Sequence, residues 1–94
     1  MSLDTAPTLA RLYVEHIEDL GRATTDLAIE RESGSAWAVL QAQDRLGLLG
    51  THEFVVLRDK LFSLAMRRRL ELMARAIGPS SEGFMRTLLD GVPA

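Results

Sequence analysis

The segment from about residue 52 to Ile77 reads as one helix, ~39 Å long at ~1.5 Å per residue, and it is apolar on two sides. One stripe passes through Phe54, Leu57, Leu61, Leu64 and Leu72, the other through Val55, Phe62, Met66, Met73 and Ile77. A surface helix of a small domain normally shows a single apolar stripe to a single core. Two stripes demand either a place in the middle of the fold or a cover supplied from outside the chain. Thr51 is placed to cap this helix, Glu53 suits its positive end, and Gly78 with Pro79 stops it. The run "FVVL" at 54–57 would suit a strand in isolation, but the helical pattern on both sides overrides it.

The remaining punctuation yields three more helices. Thr5 or Asp4 caps the first, with Pro7 in a first turn where a missing N–H costs nothing. Leu9, Tyr13, Ile17, Leu20, Thr24 and Leu27 then recur at alternating steps of four and three, the spacing of one helical face. Gly34 supplies a left-handed end, which predicts a helix over 5–33. Ser35 caps a short connecting helix over 35–47 that presents Ala36, Val39, Leu40, Gln43 and Leu46, with Trp37 on its flank. Gly47 and Gly50 let the chain turn. A last short helix is predicted over 80–90, anchored by Phe84, Leu88 and Leu89, and residues 1–4 are expected to be a disordered leader.

These elements describe an all-α chain: a small helical bundle of two long helices, a short connecting helix and a short C-terminal helix. Ninety-four residues suffice for one domain with a small core, since a chain of this size buries only about 60 to 65% of its unfolded surface. The hydrophobic share is 47%, yet Trp37, Tyr13, Phe54, Phe62 and Phe84 are the only aromatics. Leu, Ala, Val and Met must therefore fill the interior, a vocabulary that favours helices.

Chemistry has little to work with. The chain has no Cys, so it has no thiol nucleophile, disulfide or thiolate metal site. His16 and His52 are its only side chains that ordinarily titrate near neutrality. His16 with Glu15 and Asp19 offers a conceivable divalent site, but in di-metal helical bundles a Glu stands three residues before the His, and here Tyr13 does. "GLLG" has neither the spacing nor the Lys of a phosphate loop. The expectation is no enzyme, no metal and no cofactor. No segment approaches the ~18 to 20 apolar residues of a membrane span, and Asp4 falls where a secretory signal would carry positive charge. A soluble, cytoplasmic protein without membrane contact is expected.

Charge is the strongest remaining signal. The net charge of −2 hides a division, with eight acids and four bases in residues 1–50 and five acids and seven bases in residues 51–94. Arg67, Arg68 and Arg69 fan over about 200° of the long helix, and Arg68 and Arg69 each interrupt an apolar stripe. Arg-carboxylate bonds to Glu15, Glu18, Asp19 and Asp26 of the first helix would neutralise them within the chain. Glu30 and Glu32 resist that account, because they occupy the negative end of the predicted first helix and so suggest a demand from outside.

The function expected from these residues is a non-enzymatic protein–protein interaction module: a small adaptor, regulator, inhibitor or assembly factor acting through helical surfaces as a homodimer. Its partner-binding residues would be Arg58, Lys60, Arg67, Arg68, Arg69, Arg75 and Trp37. Val55, Phe62, Met66, Met73 and Ile77 would form the dimer interface. The alternative is a nucleic-acid-binding regulator that uses the Arg-rich helix or a degenerate helix-turn-helix over 36–61. Around Thr51 to Val56, however, that motif would present mostly apolar side chains where base edges need polar ones.

Overall fold

A computed structural model describes residues 5–77 and residue 90. It contains α1 (Thr5–Arg22), α2 (Asp26–Arg45) and α3 (Thr51–Ile77), and no strand among the described residues. The expected leader and the expected C-terminal helix lie outside the described residues, apart from Asp90, which is helical and exposed.

The predicted helix over 5–33 is in fact two helices. The chain leaves α1 at Arg22 and crosses Ala23 to Thr25 without helical structure before α2 starts. Thr25 makes the break. Its backbone is extended (φ −137°, ψ 156°) and its Oγ1 accepts a hydrogen bond from the Ala28 N–H at 3.0 Å. That satisfies one donor of the opening turn, while Asp26 meets the positive end of the helix. Gly34, expected as a terminator, lies inside α2 and has no left-handed backbone; among the described residues only Gly47 has a positive φ, at 71°. A mid-helix glycine costs roughly 1 kcal/mol relative to alanine, less than the packing of Ile29, Ala36 and Leu40 on either side can offset. The expected short connecting helix is thus the 20-residue α2, longer than the 18-residue α1.

Gly47 ends α2. The Gly47 N–H donates to the Asp44 carbonyl at 3.0 Å and the Leu48 N–H to the Gln43 carbonyl at 2.9 Å, the paired bonds of a Schellman turn. At the start of α3 the cap is Gly50, one residue earlier than expected. Its carbonyl accepts from the Phe54 N–H at 2.9 Å, and its own N–H donates to Glu53 Oε1 at 3.0 Å. Glu53 therefore acts as the carboxylate half of a capping box.

Two cross-links set the topology. Tyr13 O–H donates to the Leu57 carbonyl at 3.3 Å, and Arg68 Nε–H donates to the Ala23 carbonyl at 2.7 Å. The near-constant sequence offset between the partners makes α1 and α3 parallel, with α2 antiparallel to both. Leu20, Ala23, Ile29, Ala36, Leu61 and Ala65 form the core cluster, flanked by Tyr13, Ile17, Trp37, Leu64 and Leu72. Three of the six core residues are alanines, so the core is thin. Leu27, expected on the core face of the first helix, is 66% exposed because the break at Thr25 reorients everything after it.

Candidate interaction surface

α3 places the basic residues on different sides of the molecule. Arg68 points inward: its side chain is 11% exposed, and besides the Ala23 carbonyl it pairs with Glu71 at 2.9 Å. Arg67 lines a crevice of about 100 Å³ between α1 and α3, beside Ile17, Leu20, Gly21 and Leu64. Arg58 pairs with its neighbour Asp59 at 3.1 Å. Lys60, Arg69 and Arg75 are exposed. Arg69 borders a shallow depression formed with Thr24, Thr25, Asp26, Leu72 and Met73. The helix thus distributes these cations around its circumference, as the ~100° step between residues requires.

Arg68 does not meet the α1 carboxylates expected to neutralise it. Its position faces the point where α1 has ended, so the nearest acceptor is a main-chain carbonyl left unpaired by the helix terminus. Glu32, read from sequence as misplaced at the end of a long first helix, lies in the interior of α2. There its Oε2 is 2.8 Å from His16 Nδ1 on α1, with both side chains largely shielded. The other two residues weighed as metal ligands turn elsewhere, Asp19 to Arg22 at 2.7 Å and Glu15 to Arg11 at 4.0 Å. Among the described residues no three His, Cys, Asp or Glu side chains converge as a metal site would need. Tyr13 is packed against the core beneath α3, and burial raises its pKa above the usual value.

The two predicted stripes of α3 differ in exposure from Phe62 onward. Leu61 is buried, Leu64 and Leu72 are partly buried against the core cluster, and Phe54 and Leu57 are partly buried. On the other stripe Phe62 is 50% exposed, Met66 55%, Met73 49% and Ile77 52%, and Val55 is half-buried. Trp37 connects the two: its ring stands 5.7 Å from Phe54 and 5.5 Å from Phe62, tilted against each. This half-buried aromatic group holds the N-terminal end of the stripe in place.

The helix-turn-helix over 36–61 has the wrong shape. Such motifs cross at about 90 to 120°, whereas the start of α2 lies beside Leu72, Met73 and Ala76 near the end of α3. The pair is an antiparallel hairpin. No helix of the described residues is long and apolar enough to cross a membrane. Compared with known proteins, the chain matches no family model, no curated protein and no solved structure.

Proposed function

We propose that the protein is a non-enzymatic protein–protein interaction module whose docking face is the outer stripe of α3. One observation carries the reading: Phe62, Met66, Met73 and Ile77 lie on one line of the longest helix, each about half exposed. An exposed apolar row along a helix that is itself anchored to a core by its opposite face is the form in which helices recognise other helices. Adaptors, regulators, inhibitors and assembly factors all work through such faces. The basic residues support phosphate binding less well, because the guanidinium of Arg68 is engaged inside the fold and Arg58 is paired.

Photocrosslinking tests this. A photoreactive residue replacing Met66 is expected to form an adduct of discrete mass with a protein, while the same group at Gly34, exposed on α2, forms none. No adduct from position 66, together with retention on a phosphate-bearing column that is lost as salt rises, would replace the protein partner with a nucleic acid.

A further inference from the structure

We infer that the occupant of the outer stripe is a second copy of this chain, with the two α3 helices antiparallel about a two-fold axis at Leu64. The inference rests on the proposed interaction face and names its partner. It comes from the order of residues along that face. Val55, Phe62, Arg69 and Ala76 follow one another at seven-residue intervals, as do His52, Asp59, Met66 and Met73. Two interleaved series of this kind form the seam of a helix pair.

The seam is its own complement when reversed. Phe62 and Met66 stand two residues either side of Leu64, Val55 and Met73 nine residues either side, and Asp59 and Arg69 five. In an antiparallel pair Phe62 therefore meets the partner's Met66, and Val55 meets the partner's Met73. Asp59 and Arg69, the two charged residues of the seam between Val55 and Met73, meet each other, twice. A parallel pair would set Asp59 on Asp59 and Arg69 on Arg69. A two-fold interface requires this reciprocity, residue i against j and j against i.

Asp59 and Arg69 are exposed in the single chain, and Asp59 accepts from Arg58 through Oδ1. A carboxylate has acceptor sites on both oxygens, so it has capacity for a second guanidinium from across the seam. Arg69 interrupts an apolar row because its reversed counterpart is an acid. This also explains what a polar residue does at such a position, which is to fix register and orientation. The contact is one helix wide, about 27 Å by 10 Å for the central layers. That is smaller than the ~800 Å² per partner of a standard interface, so association depends on concentration.

Charge exchange distinguishes this arrangement from others. In sedimentation equilibrium the natural protein is expected to approach twice the 10.4 kDa chain mass as concentration rises. Asp59→Arg alone and Arg69→Asp alone each set like charges opposite one another and are expected to weaken self-association by at least about tenfold. An equimolar mixture of the two variants restores both opposite-charge pairs and is expected to recover the dimer, as is the double exchange in one chain. Since the chain lacks Cys, mixing Val55→Cys with Met73→Cys chains is expected to give a mixed disulfide, while Val55→Cys alone gives none. Ready Val55→Cys homodisulfides, or charge variants that associate like the natural protein, overturn the antiparallel register. A monomer at all concentrations whose position 66 crosslinks to a foreign protein overturns the second copy and leaves the interaction face standing. A monomer that forms no adduct removes both.

Discussion

Arg68, in the middle of α3, closes the end of α1: its Nε–H donates to the Ala23 carbonyl at 2.7 Å while its guanidinium also holds Glu71 at 2.9 Å. Helix ends leave carbonyls without intrahelical partners, and here a side chain from another helix satisfies one of them beside the buried Ala23 and Leu20. The contact ties the position of the α1–α2 break to the register of α3. A charged donor to a shielded carbonyl is worth more than an exposed ion pair, because the carbonyl is left desolvated when the donor goes.

Arg68→Ala is therefore expected to destabilise the fold by about 2 to 3 kcal/mol, the range for losing a charge-assisted bond and leaving its acceptor unpaired. Arg68→Lys is expected to recover less than half, since a lysine has no forked donor to serve Ala23 and Glu71 together. Urea denaturation at fixed protein concentration measures both. A loss below about 0.5 kcal/mol, the level of an ordinary surface change, would remove the capping role.

Gly34→Ala is expected to stabilise the protein by about 0.5 to 1 kcal/mol, because Gly34 is inside α2 and an added Cβ would meet nothing within 4 Å. If the helix instead ended there in a left-handed residue, the same change would destabilise. Thr25→Ala supplies the converse at the true boundary, with a loss of about 1 kcal/mol expected and Thr25→Ser retaining most of it. Equal and small effects at both positions would mean that the break lies elsewhere.

The stability of the fold is expected to fall above pH ~10 through Tyr13. Burial raises the folded-state pKa of this phenol above its ordinary value of 10.0, so the folded state holds the proton more tightly than the unfolded one. The resulting stabilisation is present in full below the unfolded pKa and is lost as pH rises through the higher folded value. Denaturation between mildly and strongly alkaline pH, compared with Tyr13→Phe, isolates the contribution. As the sole tyrosine, Tyr13 also reports its own ionisation by phenolate absorbance. A folded-state midpoint at or below that of the unfolded chain would contradict the burial.

What was legible in the sequence was local or periodic. α3 shows its two stripes because a 3.6-residue repeat displays its faces wherever the helix is placed. Gly47 could be read as a turn for the same reason, since a left-handed backbone favours glycine. Gly34 resembles a stop in the sequence, yet glycine marks a helix end only when the flanking residues fail to hold it in a helix. Ile29, Ala36 and Leu40, each fully buried, hold it. Thr24, Thr25 and Asp26 carried a cap signal of their own, hidden by the apparent continuation of the periodic row to Leu27. The pairing of His16 with Glu32 and of Arg68 with Ala23 had no sequence signal, since each joins residues brought together only by the fold.

The order of side chains by itself determined that the chain is helical, that α3 has two apolar faces, and that Val55, Asp59 and Phe62 are placed symmetrically with Met73, Arg69 and Met66 about Leu64, because backbone periodicity and residue order need no neighbours. Only the tertiary structure decided where the first helix breaks, that α1 runs parallel to α3, which stripe is covered, and which arginine is turned inward. Those outcomes depend on which surfaces α2 and α1 reach first, and burial is a property of the packed whole.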